Sequence, residues 1–134
     1  MIKKIIYTLV IAVAIFSCNN GVKKNPVTDT DVATAFIRAV LDNDFTTAEK
    51  YLLKDETNQQ FFTTFERLYH SKGEAELGKF KSSDIIINTL TPLKDTTIVN
   101  YSNTYEKDIK TNLRLVRSNG VWLVDLKYTF PEKQ

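Results

Sequence analysis

The chain has 134 residues, enough for one small domain and too few for two ordinary ones. Its 43% hydrophobic and 25% charged residues make a globular composition, which excludes a disordered, collagen-like or coiled-coil chain. One cysteine excludes a disulfide framework, and one histidine leaves no Cys/His zinc site. The formal charge is +2, but Lys3 and Lys4 lie in a segment expected to be removed. Without them sixteen basic residues face sixteen acidic ones, so the mature chain is neutral and has no electrostatic case for nucleic acid.

The amino terminus has three zones: the positive pair Lys3 and Lys4, a mostly apolar run over 5–16, and the small residue Ser17 before Cys18. The run is too short for a membrane span, which takes about 20 apolar residues, and fits the core of a secretory signal. Ile15-Phe16-Ser17-Cys18 resembles the lipobox of bacterial lipoproteins, with Phe16 bulkier than the usual second residue. The resemblance implies a signal peptide over 1–17, cleavage before Cys18, a diacylglyceryl thioether on its sulfur and an acylated amine. Each buried CH₂ is worth about 0.8 kcal/mol, so two or more chains hold a protein stably on a membrane.

Residues 18–28 then read as lipidated cysteine and flexible tether, since Gly21, Pro26 and the polar residues break any apolar period. Asn19, Asn20, Lys23 and Lys24 stand where some surface-exported lipoproteins carry an acidic tract. A periplasm-facing anchor in the cell envelope is therefore the expected location. The folded domain is assigned to 29–134.

Residues 31–42 have helical spacing, with Ala33, Phe36, Ile37, Val40 and Leu41 on one face and Asp31, Thr34, Arg38 and Asp42 on the other. Thr28 or Thr30 caps it, and Asn43-Asp44 stops it. Thr46-Thr47-Ala48-Glu49 fits the capping box of a short second helix, whose apolar side is Ala48, Tyr51 and Leu52. A third helix follows from Phe61, Phe62, Phe65, Leu68 and Tyr69, a stripe expected to face a core, with Asp55 or Glu56 at its start. Lys72 and Gly73 suit its end. Residues 74–83 read as a loop or short strand anchored by Leu77 and Phe80, with Lys79 and Lys81 forming a solvated edge.

Four strands are expected over 84–90, 96–105, 109–117 and 121–130. Asn119-Gly120 is a preferred two-residue hairpin turn because both residues tolerate positive φ. That turn pairs Ser118 with Val121 and sets the register. Leu113, Leu115, Arg117, Trp122, Val124, Leu126 and Tyr128 then share the core face, while Asn112, Arg114, Val116, Leu123, Asp125 and Lys127 share the outer one. Arg114 lies opposite Asp125, an opposite-charge pair worth about 0.2–1 kcal/mol. A one-residue slip would destroy both patterns.

Helices first and antiparallel strands afterwards predict an α+β domain: three amino-terminal helices packed on one face of a curved antiparallel sheet of about four strands. The helix with Phe36 and Ala39-Val40, the phrase 43–48 (Asn-Asp-Phe-Thr-Thr-Ala) and the hairpin 113–125 resemble the small nuclear transport factor 2-like lipoproteins of unknown function. These share a cystatin-like layout. The resemblance spans about 29–128 and implies a curved sheet wrapped around the helices, with a conical cavity between them. It carries over no catalytic residues.

Sites of chemistry are few. His70 follows the aromatic stripe at a helix end, where the dipole favours a cation, and reads as a partly exposed terminal residue rather than a general base. Isomerases of the same fold family place a carboxylate opposite a Tyr or a protonated acid. Tyr69, Tyr101, Tyr105 and Tyr128 supply hydroxyls and Asp84 and Asp125 lie nearest the sheet, but Asp125 falls on the outer face. Asp29, Asp31, Asp42 and Asp44 follow no calcium-loop spacing and read as helix caps, so no metal site is expected. The chain has no P-loop or dinucleotide fingerprint, and no cofactor is expected.

The remaining reading is a non-catalytic binding or interaction module, anchored to the membrane through lipid on Cys18. One form docks an envelope or secreted protein on the outer sheet face through Val116 and Leu123. The alternative holds a small apolar molecule in a cavity lined by Tyr69, Tyr101 and Trp122.

Overall fold

The computed structural model describes residues 26–129. The expected signal peptide, Cys18, Lys23, Lys24 and the last residues from Phe130 onward lie outside the described residues. Helix α1 (Asp29–Leu41) begins at Thr28, whose hydroxyl accepts from the Asp31 N–H while the Asp31 carboxylate accepts from the Thr28 N–H, a reciprocal cap. Its apolar face, including Phe36, Ile37 and Val40, is buried.

Asn43 then takes φ 60°, a conformation asparagine tolerates, and turns the chain into α2 (Phe45–Glu49). The cap of α2 is Asp44, whose carboxylate accepts from the Thr47 N–H at 3.0 Å. This replaces the box expected at Thr46. Phe45 is freed by that shift to point inward, and it is buried.

Helix α3 (Glu56–His70) starts at Asp55, which accepts from the Asn58 N–H at 2.8 Å. Its buried residues are Asn58, Phe62 and Tyr69, while Leu68 is exposed. The expected core stripe is thus wider than the face that the fold covers: Phe61, Thr64, Phe65 and Leu68 line a shallow apolar groove on the other flank.

Residues 74–81 correct the sequence expectation, forming α4 (Glu74–Lys81) rather than a loop or strand. Among the described residues four helices therefore precede the sheet. Acidic Glu74 and Glu76 in the first turn and basic Lys79 and Lys81 in the last complement the helix dipole. Phe80, expected as an anchor of this segment, is buried, and Lys79 and Lys81 on either side of it are exposed. Arg38, placed on the solvent face by periodicity, donates to the carbonyls of Ser83 at 2.7 Å and Lys81 at 3.1 Å. It satisfies groups that the end of α4 leaves open.

The sheet contains β1 (Ile85–Pro92), β2 (Thr96–Asn103), β3 (Thr111–Ser118) and β4 (Val121–Asp125), antiparallel and in that order. The β1–β2 register shifts between Ile87 and Thr89, leaving Asn88 as the extra residue of a bulge. A bulge bends its strand and adds twist, which curves the sheet around the helices. The hairpin pairs Ser118 with Val121, Arg117 with Trp122 and Arg114 with Asp125, the register expected from Asn119-Gly120. Those two residues have φ of 51° and 78°, as the two-residue turn requires. Residues 51–53 add one parallel bridge to β4, with backbone bonds from Leu53 N–H to Val124 O and Val124 N–H to Tyr51 O, covering the β4 edge at Val124.

The last expected strand ends early. Residues 126–129 form the single turn α5 (Leu126–Thr129). The Leu126 N–H is taken by the Asn58 Oδ1 at 2.7 Å, and the Asp125 carboxylate accepts from the Lys127 N–H at 3.2 Å, so neither donor is left for a ladder. Leu126 stays in the core, but Tyr128 is exposed rather than on the core face. Asp125, expected outside, is buried. Its carboxylate lies 3.9 Å from Arg114 and 3.6 Å from Lys127.

Candidate functional site

Helices and sheet close over most of their shared core but leave a pocket of about 160 Å³ at one end. The carboxy-terminal half of α1 supplies Ile37, Val40 and Leu41, the end of α3 supplies Phe65, Tyr69 and Lys72, and α4 adds Phe80. The opposite wall is the end of β2, Tyr101 to Asn103, with Thr111 from the start of β3. Glu106 and Ile109 from the β2–β3 loop complete the lining. A mostly apolar wall with a few converging polar groups is the usual composition of a small-molecule site.

Tyr69 and Tyr101, named from sequence, line this one pocket. The Tyr69 hydroxyl donates to Leu41 O, a long bond of 3.4 Å to a carbonyl that the end of α1 leaves open. Burial pushes its pKa up to about 12. Burial does the same to Tyr101, also to about 12, against a smaller lowering by the Thr111 hydroxyl beside it. Both phenols are therefore neutral hydrogen-bonding groups at neutral pH and no source of phenolate base.

This raised pair has a consequence for stability. A phenol whose folded pKa is raised stabilises the native state fully below the ordinary value of 10.0 and loses that contribution as pH rises through about 12. Denaturant midpoints are expected to hold up to about pH 9.5 and to fall between pH 10 and 12. Absorbance at 295 nm should show Tyr69 and Tyr101 ionising last, with Y69F and Y101F each removing part of that late phase. Titration of all tyrosines together near pH 10 would contradict the burial argument.

Lys72, Asn103 and Ser102 of the lining are already engaged. The Lys72 ammonium lies 3.0 Å from Glu76 and 5.2 Å from the centre of the Phe80 ring. The Asn103 carboxamide oxygen accepts from the Tyr105 and Glu106 N–H groups at 2.9 Å each, shaping the loop that rims the opening. The Ser102 hydroxyl accepts from the Asn88 amide at 3.3 Å.

Trp122 does not join the two tyrosines. It sits on β4, partly buried against the core, with the Arg117 guanidinium 5.9 Å from its ring centre. Sequence alternation put it on the correct sheet face, but strand order places β4 at the sheet edge away from β1 and β2. Phe80, named from sequence only as an anchor of its segment, and Ile109 and Glu106 were not assigned to a cavity. The helix that aims Phe80 at the pocket was read as a loop or strand, and loop residues leave no periodicity to read.

His70 is exposed at the last position of α3, its ring 5.3 Å from that of Phe45 and outside the lining. Asp84 is exposed before β1. Tyr105, also exposed, packs edge-on against Phe80 at 5.1 Å. Val116 and Leu123, offered as an exposed outer-face pair, are half-buried because they stand directly opposite each other across the ladder. Among the described residues no group of three His, Cys, Asp or Glu side chains could hold a metal ion. Among the same residues no helix is long and apolar enough to cross a membrane.

No family model and no curated protein matches the chain. Among solved structures it is similar to a Campylobacter jejuni protein provisionally named an NTF2-like transpeptidase, with 20% identity and a TM-score of 0.53 over 75% of this chain and 97% of that one. It is also similar to an NTF2-like protein of unknown function from Cytophaga hutchinsonii, with 13% identity and a TM-score of 0.48 over 78% of this chain and 96% of that one. The first likeness, joined to the curved four-stranded sheet and the helices it wraps, shows the architecture: this chain is an α+β domain with the NTF2-like fold.

Proposed function

We propose that this protein is a lipid-anchored, periplasm-facing binding module of the bacterial cell envelope, working without catalysis. Its anchor is Cys18, on the strength of the lipobox resemblance of Ile15-Phe16-Ser17-Cys18. Its ligand is a small amphipathic molecule taken into the pocket between α1, α3 and β2. The observation that carries this is the pocket itself, with apolar walls and two neutral phenols. A cavity of roughly 150 Å³ holds one benzene-sized ring, so the pocket suits a single ring bearing a hydrogen-bonding group.

The transpeptidase name of the Campylobacter protein raises acyl transfer as the competing reading. That chemistry needs a nucleophile activated by a neighbouring base. The hydroxyl of Ser102 meets the Asn88 amide, which takes no proton; the lining contains no imidazole, and no hydrogen bond joins Ser102 to its one carboxylate, Glu106. These contacts favour binding over transfer. Docking of a partner protein on the outer sheet face is less supported, because Val116 and Leu123 are half-buried.

Phenol is the probe for this reading. Titrated into isotope-labelled full-length protein in detergent micelles, it is expected to shift the methyl resonances of Ile37, Val40 and Ile109. Small ligands gain at best about 1.5 kcal/mol per heavy atom, and weak fragments bind at about 1 mM. I109W, which puts a ring into the opening, should abolish the response while the fold persists. Shifts confined to residues outside the lining would sink the proposal.

A further inference from the structure

We propose that the end of the domain from which the tether leaves is a membrane-docking surface, resting on phospholipid through Val27, Leu93 and Val121. The proposal rests on the lipid-anchor reading above and adds an orientation to it.

Three separate segments meet at this end. The Thr97 hydroxyl donates to the Asp29 carboxylate at 2.6 Å, tying the first turn of α1 to the start of β2. The Leu93 N–H donates to Thr96 O at 2.7 Å and closes the β1–β2 turn. The Arg117 N–H donates to Asp95 O at 2.8 Å and holds that turn against the β3–β4 hairpin. Each segment puts an apolar side chain into solvent here: Val27 is 66% exposed, Leu93 60% and Val121 56%. Single exposed apolar residues are ordinary, but three from different segments at one end form a surface.

What covers that surface follows from where the described chain begins. Val27 lies nine positions after Cys18. A chain spans at most about 3.6 Å per residue, so the tether keeps this end within about 32 Å of a lipidated Cys18. The flanking side chains suit a lipid–water boundary. Lys94 and Arg117 are exposed and Asp95 is the exposed acid between them, while Arg117 lies over the half-buried Trp122 ring. Asp29 and Asp31 at the same end are engaged with Thr97, Thr30 and Thr28. Contacts this few would not hold a free domain on a bilayer. On an anchored chain the tether supplies the local concentration, so they suffice.

The pocket opens at the other end. Its lining takes the carboxy-terminal half of α1, a helix of 13 residues and thus about 20 Å long, and the β2–β3 loop with Ile109. Docking through Val27, Leu93 and Val121 therefore turns the opening toward the aqueous phase, and ligand arrives from there rather than from the bilayer.

The test uses full-length lipidated protein in vesicles of phosphatidylethanolamine and phosphatidylglycerol. L93C, V121C and I109C each carry an environment-sensitive fluorophore, and nitroxide lipids act as quenchers. Quenching of at least about twofold at positions 93 and 121, with none at 109, is the expected result. Absence of quenching at 93 and 121 in protein that floats with the vesicles overturns the docking surface and leaves the anchor standing. Equal quenching at all three positions overturns it too. Protein that fails to float and retains an unmodified Cys18 by mass overturns the anchor reading, and the docking surface with it.

Discussion

Phe45→Ala is expected to lower the unfolding free energy by about 3–5 kcal/mol, the range for removing a buried aromatic ring. The ring is only 4% exposed and meets Phe62 at 5.7 Å, Phe65 at 5.8 Å, Tyr69 at 5.5 Å and His70 at 5.3 Å. Tilted and edge-on pairs of this kind add about 0.5–1.5 kcal/mol each beyond the area they bury. Phe45 also links α2 to the carboxy-terminal half of α3, which carries the pocket residues Phe65 and Tyr69. Against a total stability of about 5–15 kcal/mol, the loss should drop the thermal midpoint by more than about 12 °C. Phe45→Leu keeps much of the volume and should cost clearly less. Chemical denaturation of both variants checks this, and a loss below about 1 kcal/mol for Phe45→Ala would show that the site collapses around the gap.

Asn58→Ala is the second large effect, at about 2–4 kcal/mol from an orphaned buried donor and a small cavity. Asn58 is fully buried, and both ends of its amide are used. The Oδ1 accepts from the Leu126 N–H at 2.7 Å, and the Nδ2 donates to the Asp55 carboxylate at 2.9 Å. Asp55 in turn caps α3 and accepts from the Lys127 ammonium. Those bonds, the Lys127 one first, hold its carboxyl down at about 2. This chain of contacts fastens the start of α3 to the end of β4 and stops that strand at Asp125.

N58D separates the hydrogen bond from the packing. It keeps an acceptor for Leu126 but sets a second carboxyl beside Asp55 in a buried place, where its pKa must rise. A raised carboxyl stabilises below its unfolded value and costs progressively more as pH rises through the folded one. N58D should therefore lie close to wild type at pH 4 and fall well below it at pH 7, whereas N58A should lose about the same at both. Parallel pH behaviour of the two variants would refute the shared-carboxyl account.

The residues around these two positions show what was readable in advance. The Asn119-Gly120 turn and the alternation beside it determined the hairpin register without help, because positive φ is demanded locally and a slip of one residue inverts every side chain. The Thr28 cap and the apolar face of α1 were equally local. Asn58 was invisible, since a polar residue ahead of an aromatic stripe reads as solvent-facing. Its partner Leu126 is 68 residues away. For the same reason the strand expected to run on to Phe130 gave no hint of stopping at Asp125.

Helix α4 illustrates the same boundary. Its apolar content is Ala75, Leu77 and Phe80, too little to declare a period, and what holds its end is Arg38 from another helix. The pocket was legible only in part. Tyr69 and Tyr101 could be named as aromatic residues on a helix and a strand, but strand order alone separates them from Trp122. Local demands, such as turn conformation, capping and the helical and alternating periods, act within a few residues and are written in the chain. Which wide apolar face is covered, where a strand ends and which side chains share a cavity depend on contacts between distant segments, and only the folded chain decides them.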